Sequence, residues 1–395
     1  MFRIPVCLLI AALPLLSEEP VRRIHSQPSW VIENDQMELA VTQLGGHMAP
    51  VVFYRTAKQP VKPYHISPWQ DEGLKINDPV LIPLRGDFFC MPFGGGKEAN
   101  GRQHPAHGET ASSRWTFGAV ARQGVVTTLT LTMDTKVRPG TVTKRLMLVD
   151  GHNIVYAQHR IEGFAGPTTP GHHATLRLPA KDGTFRLATS PFAYGTTHPK
   201  AFADPTAGEH QSFEVGAAIH DLREIPLRFK DAKAPADMTT LPARTGYVDL
   251  MAVYKRPAAE PGWMTAVNTE EGYVWFSLKD AAVLPGTVFW LENRGRYAAP
   301  WGGRNRCLGL EDVCWYFDDS YVPNPVSRLG IPTFMNMDGR KPVTINYIQG
   351  AAKTPAGFDI VKTIEFSPGA ITLISASGKR VKVPVRHEFL KTGQL

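Results

Sequence analysis

The chain has 395 residues, of which 43% are hydrophobic and 20% charged, so it can form two ordinary domains or one large β domain. Its 35 glycines and 33 prolines argue against long helices, because neither residue suits a helix interior, and they favour strands and turns. The formal net charge is +7, but the basic residues are spread along the chain without a continuous run. We therefore expect no nucleic-acid partner.

The N-terminus has the pattern of an export signal. The stretch MFRIPVCLLIAALPLLSEEP carries one cation at Arg3, then a short apolar run from Ile4 to Leu16, then a polar segment. This pattern predicts a signal peptide over residues 1–17 and a periplasmic or extracellular protein. The run is too short to cross a bilayer as a helix, and no later segment is long enough, so we predict no membrane span in the mature chain.

Period-two alternation recurs along the chain and predicts an all-β protein. In VVTTLTLTMDTKV (125–137), Leu129, Leu131 and Met133 share one face and threonines occupy the other, which is typical of a half-buried strand. No segment shows a clear amphipathic helix over three turns. Further strands are predicted over residues 152–163, 272–280, 286–293, 359–366, 370–375 and 380–387. The strands over 272–280 and 286–293 are expected to pair around an LPG turn.

Residues 195–245 are the least regular part of the chain, with many Pro, Ala, Asp and Thr residues. Strand patterns resume in the same style at Val248. We therefore interpret this part as loops inserted over a site, not as a linker between domains, and we predict a single large domain over residues 30–395.

Cysteine use leaves two readings open. The chain contains four cysteines, and a signal peptide would remove Cys7 and leave three. Cys307 and Cys314 could form a disulfide, but buried free thiols at Cys90, Cys307 and Cys314 are the favoured reading. There is no CxxC motif, so a thiolate zinc site is not expected.

The stretch RQHPAHGETASSRW (102–115) holds His104 and His107 after a glycine-rich segment. Three readings are open: a metal site, a polar surface loop, or a loop that presents His107 to a substrate. Pro105 breaks the spacing that two helical metal ligands would need, and no third ligand is evident, so we predict no metal. The favoured reading places His107 in a pocket, held by a turn at Gly108, and leaves His104 in the loop.

The stretch TPGHHATLRLP (169–179) contains two adjacent histidines that strand alternation separates. His172 shares a face with Ala174 and Leu176 and is expected at the edge of the core. His173 shares the other, polar face with Thr175. That face suits a wet groove on a concave sheet, although a solvated strand face explains the pattern as well.

The stretch WLENRGRYAAPWGGRNRCLGLEDVCWYF (290–317) combines tryptophans with arginines, which suits a sugar: aromatic rings stack on its apolar faces and arginines bind its hydroxyls. Glu311 lies in a strand-like segment beside Leu308 and Leu310. A carboxylate in such surroundings either pairs with an arginine or acts as a base with a shifted pKa.

These stretches, taken in order, resemble the galactose mutarotase-like superfamily of aldose 1-epimerases and their relatives. LAVTQLGGHMAPVVFY (39–54) resembles the opening hairpin of the family, and the HG of HPAHGE resembles its first histidine motif. GHHATLRLP resembles the second histidine motif, and LGLED resembles the segment that carries the catalytic glutamate. The chain departs from the family at Ala111, where an arginine is frequent, and has His172 where an Asn usually precedes the second histidine.

The resemblance implies a β-supersandwich and an isomerase that interconverts the anomers of a cyclic aldose, with no metal and no cofactor. It implies that Glu311 acts as the base, His173 as the acid and His107 as a hydrogen bonder at the ring oxygen. The partner would be a small sugar or the end of a glycan. The residues suggested as substrate contacts are Arg85, Arg114, Trp301, Arg304 and Asp249.

Two other functions fit the same groove. A carbohydrate-binding module would hold a glycan without converting it. A polysaccharide lyase or hydrolase would use the same kind of sandwich, but such lyases usually carry a helical domain, and no helical region is predicted here. Because fold alone does not establish activity, the choice depends on the site.

Overall fold

The computed structural model describes residues 19–229 and 232–395, so the predicted signal peptide and Cys7 lie outside the described residues. Within those ranges the helices are short: α1 (Glu109–Ser112), α2 (Phe389–Thr392) and 3-10 turns at Pro79–Leu81, Pro205–Ala207 and Ser327–Leu329. The strands in chain order are β1 (Val21–Ile24), β2 (Gln27–Glu33), β3 (Glu38–Thr42), β4 (Met48–Val52), β5 (Phe89–Cys90), β6 (Thr116–Gln123), β7 (Val126–Thr135), β8 (Gly140–Val149), β9 (Ile154–Glu162), β10 (Ala165–Thr168), β11 (Gly171–Arg177), β12 (Phe185–Thr189), β13 (Tyr194–Thr197), β14 (Thr240–Leu241), β15 (Tyr247–Tyr254), β16 (Gly262–Asn268), β17 (Tyr273–Lys279), β18 (Gly286–Asn293), β19 (Arg306–Val313), β20 (Met335–Asp338), β21 (Val343–Lys353), β22 (Val361–Ser367), β23 (Ala370–Ser375) and β24 (Arg380–Pro384). The all-β prediction is confirmed.

Two large antiparallel sheets form the sandwich. The nine-stranded sheet has the order β14-β12-β16-β17-β21-β9-β8-β7-β6, and the six-stranded sheet has the order β13-β15-β18-β19-β11-β5. The main core contains Leu129 and Leu131 from β7 together with Leu176 from β11 and Leu310 from β19. Apolar side chains from both sheets therefore fill the space between them, and the other face of the six-stranded sheet is left for loops and a site.

The predicted strands are present, and the alternation in β7 is confirmed because Leu129, Leu131 and Met133 are all buried. The predicted opening hairpin is also present, with β3 antiparallel to β4. Its turn contains Gly45 at φ 71°, where an added Cβ would lie 2.4 Å from the carbonyl oxygen of Ala111. Only glycine fits that approach without displacing the backbone.

The predicted pairing of residues 272–280 with 286–293 is wrong. These segments form β17 and β18, but β17 pairs with β16 and β21, whereas β18 pairs with β15 and β19. Every residue of both strands is buried. That pattern belongs to strands covered on both faces, not to a half-exposed hairpin. The LPG segment (284–286) therefore carries the chain from one large sheet to the other.

Smaller sheets complete the fold. The N-terminal sheet has the order β1-β2-β3-β4, so strands begin before residue 30, where the predicted domain starts. The C-terminal sheet, β22-β23-β24, packs with α2 against the outer face of the nine-stranded sheet. The cluster between them includes Tyr156, Phe276, Leu373 and Phe389. This addition covers a face that would otherwise expose apolar side chains to water.

Two further predictions concern the thiols and the membrane. Cys90, Cys307 and Cys314 are buried and free, so the structure has the free-thiol alternative and not the disulfide. Among residues 19–229 and 232–395, no helix has the length and apolar character needed to cross a bilayer.

Candidate active site

A cavity of about 450 Å³ lies on the outer face of the six-stranded sheet. The floor is built from strand residues: Leu250 on β15, Val288 and Trp290 on β18, Glu311 on β19 and His173 on β11. Loops form the walls, and the side chains that they contribute include the aromatic rings of Phe88, Phe93, Trp301 and Trp315. A concave site with apolar walls and a few polar groups is typical of a small-molecule site.

His173 and Glu311 face each other across neighbouring strands. They are directly opposite in the antiparallel register of β11 and β19, so their side chains emerge on the same face of the sheet. His173 Nε2 lies 3.1 Å from Glu311 Oε1. The imidazole stacks on Phe88 with ring centroids 4.4 Å apart, and its Nδ1 lies 3.2 Å from Thr175 Oγ1. The pair is thus held by sheet register and by contacts on the imidazole.

Gly309 gives the Glu311 carboxylate its space. Two residues apart on one strand, Gly309 and Glu311 share a face. A Cβ at Gly309 would lie 2.3 Å from Glu311 Oε1 and 3.0 Å from Trp290 Cβ. The glycine in LGLED is therefore explained by the close approach of a side chain and not by an unusual backbone angle.

His107 reaches the same cavity from the loop before α1. Its ring centroid lies 4.9 Å from that of His173 in an edge-on arrangement, and its Nδ1 lies 3.7 Å from Cys90 Sγ. His107 has φ 59°, a left-handed conformation that non-glycine residues adopt mainly where the surrounding structure enforces it. Gly108 follows at φ 78°, and a Cβ there would lie 2.1 Å from the Met91 carbonyl oxygen. The HG dipeptide is a tight turn that aims the histidine.

His104 is in the loop, as expected, but it is not a polar surface residue. Its Nε2 lies 2.5 Å from Glu98 Oε1, and both side chains are about 99% buried. Arg138 also contacts that carboxylate and donates to the carbonyl oxygens of Ala165 and Pro167. His104 therefore fastens the loop that carries His107, while facing away from the cavity lining.

Burial shifts the pKa values of His107, His173 and Glu311 in the directions that favour their uncharged forms. Desolvation raises the pKa of Glu311 well above that of an ordinary glutamate. Desolvation, reinforced by His107, holds the pKa of His173 well below that of an ordinary histidine. Desolvation also lowers the pKa of His107 to about 4. Both shifts favour the uncharged forms, a protonated Glu311 beside a neutral His173, and these two forms together hold one proton.

This arrangement has a consequence for stability. The folded state keeps the Glu311 proton at pH values where the unfolded chain has lost it, so Glu311 makes stability fall as pH rises from about 4.5 through its raised folded pKa. We expect Glu311→Gln to raise the melting temperature at pH 8 by about 1–3 °C and to have no such effect at pH 4. Thermal denaturation monitored by circular dichroism across this range tests the prediction, with the exposed Glu365→Gln as the control. A gain that is equal at both pH values would contradict it.

The structure brings together four of the eight predicted site residues: His107, His173, Glu311 and Trp301 all line the cavity. Trp301 packs edge-on against Trp69 with centroids 5.0 Å apart. The other four, Arg85, Arg114, Arg304 and Asp249, lie outside the lining, and each has a partner elsewhere.

The three arginines are engaged in structural contacts. Arg85 is fully buried and donates to the carbonyl oxygens of Ile24 and His25. Arg114 donates to Gln43 Oε1 at 2.6 Å, near the surface. Arg304 forms a two-pronged ion pair with Glu72. Each is close in sequence to a cavity residue, but nearness along the chain does not fix the direction of a side chain.

Asp249 lies on the wrong face of β15 to reach the cavity. Its neighbour Leu250 lines the cavity, so alternation points Asp249 into the sandwich. There it accepts hydrogen bonds from the backbone and hydroxyl of Ser212 and from the backbone of Phe213, at 2.6–2.9 Å. It anchors the long irregular segment to the sheet.

Several cavity residues were not chosen from the sequence. Arg296 Cζ lies 4.9 Å from the Trp301 ring centroid, and its Nε lies 3.6 Å from Glu209 Oε1. His198, Glu209, Asp78 and Asp318 also line the cavity. His198 and Glu209 come from residues 195–245, the segment interpreted as loops over a site. The sequence therefore indicated the segment that reaches the site, but not which of its residues do so.

The polar atoms of the site are arranged for a ligand. Trp290 Nε1 and Glu311 Oε1 are buried and make no hydrogen bond of good geometry to the residues that the structure describes, although Glu311 Oε1 lies 3.1 Å from His173 Nε2. Buried polar groups are normally paired, so a donor and an acceptor without such bonds on one cavity floor mark where a hydroxyl-bearing ligand would bind. Across residues 19–229 and 232–395, no group of three or more His, Cys, Asp or Glu residues is placed to hold a metal ion.

Fold and cavity together define a protein with the galactose mutarotase-like fold. A galactose mutarotase-like protein from Clostridium acetobutylicum is 11% identical, has a TM-score of 0.58, and aligns over 85% of this chain and 98% of its own. A galactose mutarotase-like protein from Lactobacillus casei is 12% identical, with a TM-score of 0.51 over 82% and 100%. A candidate aldose 1-epimerase from Escherichia coli is 13% identical, with a TM-score of 0.52 over 82% and 99%.

The chain is thus a divergent structural relative of these proteins. No protein-family model matches it, and no curated protein matches its sequence. At 11–13% identity the likeness concerns the fold, so the chemistry has to be argued from the cavity itself.

Proposed function

We propose that this protein is an aldose 1-epimerase-like isomerase that interconverts the anomers of a neutral cyclic aldose. The observation that carries the proposal is the convergence of His107, His173 and Glu311 in one cavity, with Glu311 opposite His173 in the sheet register. The three residues come from distant parts of the chain. Glu311 Oε1 lies 3.1 Å from His173 Nε2 without a hydrogen bond of good geometry, so the carboxyl group remains able to accept from a ligand hydroxyl.

The reaction needs a base and an acid that are close to each other. Glu311 removes the proton from the anomeric hydroxyl while His173 protonates the ring oxygen, and the bond between C1 and the ring oxygen breaks to give the open-chain aldehyde. Rotation about C1–C2 and closure on the opposite face return both protons. The two sugar oxygens share one carbon, so an acid and a base 3.1 Å apart suit them. His107 positions the ring oxygen with a hydrogen bond.

The single proton that burial favours on Glu311 and His173 is compatible with this acid–base mechanism. Glu311 as carboxylic acid with neutral His173, and Glu311 as carboxylate with protonated His173, contain the same number of protons. Burial favours the first form. A sugar hydroxyl that donates to Glu311 and a ring oxygen that accepts from His173 favour the second form, so substrate binding itself prepares the reactive state.

The charges around the cavity favour a neutral sugar. The lining has carboxyl groups at Asp78, Glu209, Glu311 and Asp318, whereas Arg296 is the one Lys or Arg in the lining formed by described residues. Arg296 is itself close to Glu209. A phosphate or carboxylate on the sugar would meet more negative than positive charge, which disfavours binding.

Polarimetry tests the proposal. Freshly dissolved α-anomers of glucose, galactose, xylose and other neutral aldoses should reach equilibrium faster with the protein than in buffer. Rates equal to those in buffer for every sugar would contradict the proposal. Sugar binding without any catalysed exchange would support the alternative function, a binding module on the same fold. The predicted export to the periplasm or extracellular space is a separate proposal, which cell fractionation tests.

Gly309→Ala provides a geometric test. The new Cβ would occupy space that Glu311 Oε1 now fills, so the carboxylate must move while the buried strand keeps its backbone hydrogen bonds. We expect about a 10- to 100-fold loss of kcat for anomer exchange, because small misplacements of a catalytic group are costly. Stopped-flow polarimetry at saturating sugar measures the loss. Gly262→Ala is the control, because a Cβ there would crowd the buried Lys279 side chain at 3.2 Å and Lys255 at 3.5 Å, outside the cavity lining, and this variant should keep its rate. An unchanged rate in Gly309→Ala would contradict the placement.

A further inference from the structure

A second cavity of about 460 Å³ adjoins the first. The two share Phe93, Gly95, Trp315 and Asp318 as a common boundary. The rings of Phe93 and Trp315 are in contact, with centroids 5.1 Å apart, and Trp315 is only half buried. The site is therefore a groove with two chambers, and aromatic side chains form the saddle between them.

Close contacts hold the saddle, which is formed by the rings of Phe93 and Trp315, in position. Gly94 has φ 86°, and a Cβ there would lie 2.8–2.9 Å from three atoms of the Trp315 indole. The indole also contacts Phe317, with ring centroids 4.9 Å apart. The indole thus rests directly on backbone, held from two sides, which fixes the position of an aromatic surface between the chambers. This also gives the glycine run at residues 94–96 a role.

The second chamber contains polar atoms without well-formed hydrogen bonds. Glu98 and Tyr321 line it; Glu98 Oε2 makes no hydrogen bond to any residue in the described ranges, and the Tyr321 hydroxyl interacts with Thr169 but makes no hydrogen bond of good geometry. The Glu98 side chain is 99% buried, and its other oxygen is taken by His104 and Arg138. Since buried polar groups are normally satisfied, one free acceptor and one free hydroxyl in a chamber point to a ligand that both donates and accepts hydrogen bonds.

The charges of the second chamber favour a neutral ligand. Its lining includes Lys97 and Lys200 against Glu98, Asp318 and Asp319. Lys200 Nζ is already paired with Asp318 at 3.2 Å. This balance gives no excess of positive charge for a phosphate or a uronic acid, whereas hydroxyl groups match the unpaired atoms.

We propose that the site takes the reducing end of a neutral oligosaccharide, with the terminal ring at His173 and Glu311 and the next ring beyond Trp315 in the second chamber. The proposal rests on the isomerase function for the first chamber. An aromatic saddle between two chambers suits the apolar faces of two linked rings, and the free hydrogen-bonding atoms of Glu98 and Tyr321 suit the hydroxyls of the second. The chemistry of the first ring is unchanged.

Binding measurements on the whole protein test this proposal independently of catalysis. Isothermal titration with maltose, cellobiose, lactose and isomaltose is compared with titration of glucose and galactose. We expect at least one disaccharide to bind about tenfold or more tightly than the monosaccharide at its reducing end. Equal affinities throughout would overturn the proposal, even if monosaccharide anomers are interconverted.

Two variants locate the second ring. Val322 is exposed and lines only the second chamber, so Val322→Trp should lower the ratio of disaccharide to monosaccharide affinity about tenfold by filling it. Val125 is similarly exposed and lies outside both chambers, so Val125→Trp is the matched control. Tyr321→Phe, which removes the free hydroxyl, should lower the same ratio about threefold or more, with the exposed Tyr297→Phe as its control. Ratios unchanged in both Val322→Trp and Tyr321→Phe would overturn the proposal.

The outcomes separate the two proposals. Tight disaccharide binding without catalysed anomer exchange would contradict the isomerase and support the two-chamber site. Catalysed exchange with no preference for a disaccharide would overturn the two-chamber site and leave the isomerase standing.

Discussion

Glu311→Gln is expected to reduce the rate of anomer exchange about 10²- to 10⁴-fold, which is the range that general acid–base groups contribute. The amide has nearly the shape of the protonated carboxylic acid that burial favours, so the variant should fold and bind sugar with an affinity close to that of the original protein. What it lacks is the ability to accept the anomeric proton. Polarimetry gives kcat, and isothermal titration gives the binding constant.

A buried glutamate of the same sheet serves as the control for this result. Glu292 on β18 is buried, accepts a hydrogen bond from the Gly295 backbone and is not in the cavity lining. Its pKa is raised to about 7 by desolvation. Glu292→Gln should retain the rate within a few-fold. Equal losses in the two variants, or no loss in Glu311→Gln, would contradict the role of Glu311 as base.

His173→Leu and His172→Leu are expected to have opposite effects, although the residues are adjacent. His173 faces the cavity, so its loss should lower the rate of anomer exchange about 10²- to 10³-fold and lower the free energy of unfolding by less than the loss of His172 does. His172 faces the sandwich interior, where its Nδ1 lies 2.9 Å from Asp87 Oδ2 and its ring stacks on Tyr347. Its loss leaves the buried Asp87 carboxyl without this partner and should lower the free energy of unfolding by about 2–3 kcal/mol.

Urea denaturation and polarimetry on both variants decide the point, and each variant is the control for the other. The activity per folded molecule of His172→Leu should stay within a few-fold of the original value. A large loss of stability in His173→Leu, or a catalytic defect confined to His172→Leu, would contradict the assignment of the two faces.

The position of the His173–Glu311 pair depends on long-range register. His173 and Glu311 lie far apart along the chain, yet they are direct neighbours across β11 and β19. Alternation in the sequence predicted the face of each histidine, because side-chain direction in a strand is a local property with a period of two. The sequence did not predict which strand lies beside β11, since pairing is decided by the packing of the whole sheet; the resemblance of LGLED to a family motif implied only that Glu311 belongs to the same site as His173.

The sequence by itself determined the all-β class, the strands β17, β18, β22, β23 and β24 in the second half of the chain, the opposite directions of His172 and His173, and the three stretches that build the site. These are consequences of local periodicity, turn residues and motif chemistry. The tertiary structure alone decided that β17 and β18 belong to different sheets, that Arg85, Arg114, Arg304 and Asp249 serve the scaffold, and that Arg296 and His198 reach the cavity. The physical reason is that the direction of a loop side chain, and the sheet that a fully buried strand joins, depend on neighbours distant in sequence, which no local pattern encodes.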